Sequence, residues 1–317
     1  MTEFDLIRRH FTRPTPSAVL GVGDDAALLQ VSEGNVLAVS SDMLVSGTHF
    51  FADADPFLLG HKALAVNLSD MAAMGAVPRW ATLAIALPDA DEAWLGKFSA
   101  GFFSLAQQQG VELVGGDTTR GPLNLCVTII GEVPAQQALR RSGAQIGDDI
   151  WVSGTLGDAA LALAHLQNRF VLNEAEFALC VMVLHQPQPR VALGLALRGI
   201  ATSTIDISDG LLADLGHILD ASQVGAQLDF AALPISSTLL GYMQQPLGRQ
   251  CVLAGGDDYE LCFTVPATRH AEVSHIAAQL DLPLTRVGKV VAGRGCIVHD
   301  AAGNPLNVEA CGYDHFR

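Results

Sequence analysis

Three segments of the chain share one pattern, in which an apolar, strand-favouring run leads through small polar residues to an aspartate. They are VLAVSSD at 36–42, ELVGGD at 112–117 and STIDISD at 203–209. Ligands of α/β proteins usually bind at the carboxyl ends of strands. The pattern therefore predicts an α/β fold in which each of these three strands ends on an aspartate.

Helical periodicity predicts helices between these strands. Apolar residues at 59, 63 and 66 form one stripe of a helix at about 56–74, and Asp70 continues that stripe. Because most of this helix is apolar, Asp70 is expected in apolar surroundings, where a carboxylate must be paired or bound to a metal. Another helix is expected after the SDG sequence, with Ser208 or Asp209 as its cap.

The length of 317 residues exceeds what one hydrophobic core usually supports, so two domains are expected. The segment RRSGAQIGDD at 140–149 is polar, contains glycine and has no apolar periodicity. It separates two strand-like segments, LCVTIIGEV and DIWVSG. We therefore predict domains at 1–139 and 140–317.

The charge of the chain limits its partners. Its 33 acidic residues exceed its 18 lysines and arginines, which gives a formal net charge of −15, and no basic run offers a nucleic-acid or anionic-membrane site. We therefore expect neither a nucleic acid nor a membrane as a partner.

The chain has no apolar run of the ~18 residues that a membrane span needs, and its first residues do not resemble a secretion signal, so a cytoplasmic location is expected. Six scattered cysteines fit reduced thiols.

Acidic residues recur beside glycine, serine or threonine. These sites are Asp24-Asp25, Ser40-Ser41-Asp42, Ser69-Asp70, Gly116-Asp117-Thr118, Asp206 to Asp209, and Gly256-Asp257-Asp258. Carboxylate and hydroxyl oxygens are ligands for magnesium or calcium. Two carboxylates 4 Å apart repel by about 4 kcal/mol at an effective dielectric of 20, so acids that converge must hold cations or protons. Magnesium on such acids could in turn bind the phosphates of a nucleotide.

Each of these motifs also has a simpler interpretation. Aspartate beside glycine or serine is common in turns and helix caps. Arg141 could contact a nucleotide phosphate or lie in a solvated linker. By default His49 would be a satisfied surface or core residue, and Tyr313 would be a packing residue. The chain has no GxxxxGK[ST] sequence, no GxGxxG sequence opening a helix and no protein-kinase motifs. Any ATP must therefore be held by another kind of site.

In chain order, eight motifs together resemble the thiamine-monophosphate kinase family, over about residues 21–316. The motifs are GVGDDAAL, SSDMLVSGTHF, KALAVNLSDMAAMGA, GGDTTRGP, SGAQIGDDIWVSGTLGD, IDISDGLLADLGHI, GGDDYELCFTV and GYDHF. The resemblance implies transfer of the γ-phosphoryl group of ATP to thiamine monophosphate, which is the final step of thiamine diphosphate biosynthesis. It also implies two α/β domains of the aminoimidazole ribonucleotide synthetase type, each a mixed sheet covered by helices. A homodimer formed through the N-terminal domain is implied as well, with ATP and several magnesium ions between the domains.

The resemblance also assigns residues. The implied magnesium ligands are Asp25, Ser40, Ser41, Asp42, Asp70, Asp117, Asp206 and Asp209. The implied ATP contacts are Gly116, Asp117, Arg141 and Ser208, and the implied substrate contacts are His49, Asp257 and Tyr313. Asp24 is left to a supporting hydrogen bond or to solvent.

Two motifs depart from the family pattern, because STDT stands here as SSDM and GGEDYE as GGDDYE. Both departures bear on affinity rather than on activity.

Two other interpretations compete with this resemblance. The first is that the chain is a different enzyme of the superfamily, such as selenophosphate synthetase. That enzyme would have a reactive cysteine near its N-terminus, whereas the first cysteine here is Cys126. The related hydrogenase-maturation protein would end in a cysteine, whereas this chain ends in HFR. A non-catalytic nucleotide or metal sensor is the other, and it would have lost some of the acids. None is missing from the motifs.

Overall fold

The computed structural model describes residues 2–306 and 312. The chain divides into two compact units. The N-terminal unit comprises residues 1–71 and 76–136, and the C-terminal unit comprises residues 72–75 and 137–317.

The N-terminal unit is built around a four-stranded sheet in the order β1-β4-β2-β3. Its strands are β1 (Asn35–Val45), β2 (Val77–Leu87), β3 (Glu112–Arg120) and β4 (Asn124–Pro134), and its helices are α1 (Glu3–Leu6), α2 (Pro56–Ala73) and α3 (Glu92–Gln109). The β1–β4 and β4–β2 pairs are antiparallel and the β2–β3 pair is parallel. The sheet is therefore mixed, as predicted.

Helices α2 and α3 cross closely, and two glycines permit the approach. A Cβ atom at Gly60 would lie 2.0 Å from the carbonyl oxygen of Phe98, and one at Gly101 would lie 1.9 Å from that of Phe57. We call the sheet face toward these helices the inner face and the opposite face the outer face. Alternate residues of β1 point to the two faces.

The predicted ends of the first two strands were wrong. Strand β1 continues past Asp42 to Val45, and β3 continues past Asp117 to Arg120. The reason is pairing with a neighbouring strand, because Asp42 lies opposite Val127 and the β1–β4 ladder continues from there to its end. Both aspartates lie within strands.

The C-terminal unit contains a six-stranded mixed sheet in the order β10-β7-β9-β5-β8-β6. Its strands are β5 (Asp149–Ser153), β6 (Ser203–Ile207), β7 (Gly225–Asp229), β8 (Glu260–Val265), β9 (Leu284–Val291) and β10 (Gly295–His299). Its helices are α4 (Asp158–Leu166), α5 (Glu174–His185), α6 (Val191–Ala196), α7 (Leu211–Ser222), α8 (Ser237–Leu240), α9 (Pro246–Ala254) and α10 (His270–Leu280). The β10–β7 pair is parallel and the other pairs are antiparallel. Every residue of β5, β6 and β8 is buried.

The helices predicted at about 56–74 and after SDG are confirmed as α2 and α7. Within the described ranges, none of the helices has the length and apolar character that crossing a membrane requires. Five cysteines lie in these ranges, and all five are free thiols.

Candidate functional site

In the N-terminal unit, β1 and α2 bring two candidate metal ligands into contact. Ser40 Oγ on β1 donates a hydrogen bond to Asp70 Oδ2 on α2 at 2.5 Å. Two residues further along β1, the backbone N–H of Asp42 donates to Asn67 Oδ1 at 3.3 Å. Because side chains two apart on a strand share a face, Ser40 and Asp42 both lie on the inner face. We call Ser40, Asp42 and Asp70 the strand cluster.

Ser41 lies on the other side of the same strand. Its exposed hydroxyl is 2.6 Å from Thr128 Oγ1 on β4. The pleat of β1 therefore separates the side chain of Ser41 from those of the strand cluster.

Gly116 and Asp117 lie on β3, at the opposite edge of the sheet from β1. Three interstrand spacings of about 4.8 Å separate the two edges, which amounts to ~14 Å. The register places Gly116 in the row of Asp42, so the side chain of Asp117 points to the outer face. Within one N-terminal unit, the sheet thus does not bring Asp117 to the strand cluster. A Cβ atom at Gly116 would lie 1.9 Å from the carbonyl oxygen of Leu83, so this position requires glycine.

Asp25 lies in an exposed loop before β1, and Asp24 supports it. The Asp24 carboxylate accepts the backbone N–H of Asp25 at 2.9 Å. The two glycines of this loop have separate roles. Gly23 has a φ of +132°, and a Cβ atom at Gly21 would lie 2.2 Å from Thr15 Oγ1. The loop therefore depends on both glycines to present the acids.

His49 lies in the turn that follows β1. Its Nδ1 accepts the backbone N–H of Val45 at 3.0 Å. In the neutral ring this bond assigns the proton to Nε2, which becomes a hydrogen-bond donor. The turn therefore fixes both the orientation and the tautomer of His49.

In the C-terminal unit, two loops meet where β6 ends and β8 begins. Ile207 at the end of β6 pairs with Glu260 at the start of β8. The backbone N–H of Asp257 donates to the Ser208 carbonyl oxygen at 2.9 Å, and that of Tyr259 donates to the Ile207 carbonyl oxygen at 2.8 Å. Four candidate residues thus share one end of this sheet. We call them the strand-end cluster: Asp206, Ser208, Asp209 and Asp257.

The loop before β8 is tightly constrained. Asp257 and Tyr259 have positive φ values of 68° and 50°, and a non-glycine residue in this region costs on the order of 1–3 kcal/mol. Tyr259 Oη also donates to Asp257 Oδ1 at 3.3 Å. A Cβ atom at Gly256 would lie 2.5 Å from the Ser208 carbonyl oxygen. Such strain is common at functional sites.

The cap predicted for α7 was wrong, because an aspartate inside the helix has that role. The N-cap is Gly210, which has no side chain to cap the helix. Instead, Asp214 Oδ2 accepts the backbone N–H groups of Ser208, Asp209 and Gly210, each at 3.0 Å. Burial raises the pKa of Asp214 to about 7, although these N–H groups oppose the shift. The sequence feature that indicates this cap is the acid Asp214, four residues after Gly210 of the SDG sequence.

Asp258 is a second buried acid that the sequence interpretation assigned no function. Its two carboxylate oxygens accept the N–H of Gly157, at 2.9 and 3.1 Å, and so attach the loop before β8 to the start of α4. Burial raises the pKa of Asp258 well above its ordinary value. Its neighbour Asp257 shares the same sequence pattern, so the sequence alone did not distinguish the two.

Arg141 lies in an exposed segment that is anchored on both sides. The Thr204 N–H on β6 donates to the Arg140 carbonyl oxygen at 2.9 Å, and Ser222 Oγ on α7 donates to the Arg141 carbonyl oxygen at 3.3 Å. Tyr313 lies outside the described residues. Gly312 lies against α7, where an added Cβ atom would be 2.4 Å from that of Ala213.

The candidate ligands in both units are carboxylates and hydroxyls, which suit magnesium. Within residues 2–306 and 312, no three His, Cys, Asp or Glu side chains form a metal-binding group. Magnesium bound together with a nucleotide needs only one or two protein carboxylates, because phosphate oxygens and water complete its shell. The paired hydroxyl and carboxylate of Ser40 and Asp70 fit this requirement.

Comparisons with known proteins identify the family. The family described as "AIR synthase related protein, N-terminal domain" matches residues 23–133, and its "C-terminal domain" counterpart matches residues 145–301. Thiamine-monophosphate kinase of Escherichia coli (strain K12) is 49% identical over 99% of this chain and 98% of its own.

Two solved structures extend the comparison. Thiamine-monophosphate kinase from Stenotrophomonas maltophilia K279a has a TM-score of 0.85 at 49% identity, with 96% of each chain covered. AaThiL complexed with AMPPCP and TMP has a TM-score of 0.79 at 30% identity, covering 99% of this chain and 96% of its own. The chain belongs to the thiamine-monophosphate kinase family, which is built from the two AIR synthase related domains.

Proposed function

We propose that the protein transfers the γ-phosphoryl group of ATP to thiamine monophosphate, giving thiamine diphosphate and ADP, the final step of thiamine diphosphate biosynthesis. The observation that carries this proposal is the strand-end cluster, in which two hydrogen-bonded loops hold the Ser208 assigned to ATP beside the Asp257 assigned to substrate. The AaThiL relative, complexed with the ATP analogue AMPPCP and with TMP, supports it.

Magnesium is part of this proposal. The residues proposed to hold it are Asp25, Ser40, Ser41, Asp42, Asp70, Asp117, Asp206 and Asp209. When bound, magnesium supplies positive charge that offsets the repulsion between the phosphates of the two substrates. The N-terminal domain, 1–139, would provide most of these ligands, and the C-terminal domain, 140–317, would complete the ATP and substrate sites.

The remaining residues are proposed to bind and orient the two substrates. Gly116, Asp117, Arg141 and Ser208 would contact ATP, and His49, Asp257 and Tyr313 would contact thiamine monophosphate. A guanidinium can bind phosphate oxygens through two parallel hydrogen bonds. The Nε2 donor of His49 suits a phosphate, and the carboxylate of Asp257 suits the positively charged thiazolium ring of thiamine.

The reaction itself demands little acid–base chemistry from the chain. The attacking atom is a phosphate oxygen that already carries negative charge, so no strong general base is required. We propose in-line transfer with no covalent phospho-enzyme, in which the residues position the two phosphates. The cytoplasm is the proposed location.

A homodimer formed through the N-terminal unit is also proposed. Strand β1 lies at the edge of its sheet and exposes apolar residues on the outer face, with Val39 60% and Met43 57% exposed. An exposed apolar edge strand favours association with another chain. A second copy is the occupant that the family resemblance implies.

The proposal is tested by incubating the protein with ATP, magnesium and thiamine monophosphate and separating the products by chromatography. Thiamine diphosphate and ADP should form in equal amounts, and chelation of magnesium should abolish both. Thiamine in place of its monophosphate should give no product. A folded protein that forms no thiamine diphosphate would refute the kinase assignment, and ADP without thiamine diphosphate would indicate another acceptor.

A further inference from the structure

Helix α7 contacts, through one side chain near each end, the two backbone segments of the C-terminal unit that carry the proposed ATP contacts Ser208 and Arg141. At its start, Asp214 accepts three N–H groups of the segment 208–210, each at 3.0 Å. At its end, Ser222 Oγ accepts the N–H groups of Gly143 and Ala144, both at 3.1 Å, and donates to the Arg141 carbonyl oxygen at 3.3 Å.

The helix is suited to fix the spacing of these segments. Its buried stripe of Leu211, Leu215, Ile218 and Leu219 belongs to the hydrophobic core of the unit. The two anchoring residues are eight positions apart in the helix, which at 1.5 Å per residue is ~12 Å along the helix axis. Packing in the core holds α7 rigid. Either segment can therefore move relative to the helix only if it loses its hydrogen bonds to Asp214 or to Ser222.

The two anchors differ in strength. The side chain of Asp214 is 2% exposed and accepts three N–H groups at 3.0 Å, and a hydrogen bond is stronger where water is excluded. Ser222 is partly exposed, and its hydrogen bond to the Arg141 carbonyl oxygen is longer, at 3.3 Å. The segment carrying Ser208 and Asp209 is therefore held more firmly than the segment carrying Arg141.

We propose that Asp214 and Ser222 are positioning residues for the nucleotide, acting through Ser208 and Asp209 at one end of α7 and through Arg141 at the other. This inference rests on the proposed function, because that function assigns these three residues to ATP and magnesium. Asp214 and Ser222 themselves need not touch either ligand.

The first experiment measures binding of magnesium-ATP, without thiamine monophosphate, by titration calorimetry. Misplacement of a binding group by about 1 Å can cost on the order of 100-fold in rate, so Asp214→Ala should raise the Kd at least tenfold. Asp214→Asn retains an oxygen that can accept the same N–H groups, and it should recover most of this loss. Asp220→Asn, an exposed acid on the same helix, is the matched control and should bind as the wild type does.

Ser222 is tested by its effect on the two substrates separately. Ser222→Ala should raise KM for ATP and leave KM for thiamine monophosphate unchanged, whereas Ser222→Thr keeps the hydroxyl and should restore KM for ATP. Ser274→Ala, which removes an exposed hydroxyl from α10, is the control. In an Arg141→Ala background, Ser222→Ala should cause no further rise in KM for ATP, because Ser222 acts through Arg141.

The outcomes separate this inference from the proposed function. A wild type that makes no thiamine diphosphate would refute the function. An active wild type whose folded Asp214→Ala and Ser222→Ala variants bind ATP normally would refute the positioning role. If Asp214→Ala does not fold, the inference is tested by Asp214→Asn and by the single and double variants at Ser222 and Arg141. Additive effects of the Ser222 and Arg141 substitutions on KM for ATP would also overturn the inference.

Discussion

In the N-terminal unit most of the candidate ligands lie within paired strands, whereas in the C-terminal unit most of them lie in loops just beyond a strand end. The ladder between β1 and β4 holds Ser40 and Asp42, and the pleat alone determines which face each occupies. The loops that carry Ser208 and Asp257 depend on backbone N–H groups that donate to the buried carboxyl groups of Asp214 and Asp258, which lie outside the ligand set. Strand ligands are thus positioned by secondary structure, and loop ligands by specific supporting residues.

The comparison predicts different consequences of mutation in the two units. Substitution of a strand ligand should remove chemistry and preserve the fold. Substitution of a residue that supports the loops should change geometry while the ligands themselves remain.

The largest effect is expected from Asp70→Asn in the strand cluster. The amide keeps the shape of the side chain and can still accept from Ser40, but it lacks the charge that a magnesium ligand supplies. Turnover should fall about 100-fold or more, with an unchanged circular dichroism spectrum and melting temperature. Asp89→Asn, an exposed acid of the same unit, should retain wild-type turnover. Near wild-type turnover of Asp70→Asn at saturating magnesium would remove Asp70 from the ligand set.

The exposed face of β1 provides the next test, because the strands β5, β6 and β8 of the C-terminal unit are wholly buried. Val39→Lys places a charge on the outer face and should convert the proposed dimer to a monomer in light scattering. Val171→Lys changes a valine of the C-terminal unit that is 81% exposed and should leave the mass unchanged. A monomeric wild type, or a dimeric Val39→Lys variant, would contradict the proposed interface.

A smaller effect is expected when the loop before β8 is displaced without a change in any ligand. Gly256→Ala would place a Cβ atom 2.5 Å from the Ser208 carbonyl oxygen, so the two loops must move apart. We expect kcat/KM to fall about tenfold, consistent with a shift of less than 1 Å. Gly216→Ala on α7, where an added Cβ meets nothing within 4 Å, is the matched control. Equal activity of the two variants would show that the loops tolerate displacement.

The sequence predicted those features that depend on local pattern. The apolar stripe at 59, 63 and 66 predicted α2, and the apolar spacing after the SDG sequence predicted α7. The strand ends were wrong because pairing of Asp42 with Val127 is a non-local contact. The cap of α7 was wrong because Asp214 folds back from inside the helix onto the preceding loop. The proximity of Ser208 and Asp257 was likewise not predictable from the sequence, because it depends on the pairing of β6 with β8.

The smallest predicted effect concerns stability and a buried acid away from the candidate ligands. Burial raises the pKa of Asp158, which accepts a hydrogen bond from Ser236 Oγ at 2.6 Å. Its pKa in the unfolded chain is about 3.9, so above that pH the folded state binds more protons and stability falls as pH rises. Asp158→Asn keeps the acceptor and removes this titration.

The measurement is the free energy of unfolding from urea titrations at several pH values. Relative to Asp158→Asn, the free energy of unfolding of the wild type should fall as the pH rises above about 4, because burial disfavours the ionised carboxylate only in the folded state. Asp89→Asn should follow the wild type at every pH. Parallel curves for the wild type and Asp158→Asn would show that Asp158 has the same pKa in the folded and unfolded states.

The central claim is transfer of the γ-phosphoryl group from ATP to thiamine monophosphate. It is tested most directly by supplying ATP labelled with ¹⁸O in its γ-phosphoryl group, together with magnesium and thiamine monophosphate, and determining the product masses. We predict that the terminal phosphoryl group of thiamine diphosphate carries the label and that inorganic phosphate does not. Label in inorganic phosphate alone, with no labelled thiamine diphosphate from a folded protein, would contradict the assignment.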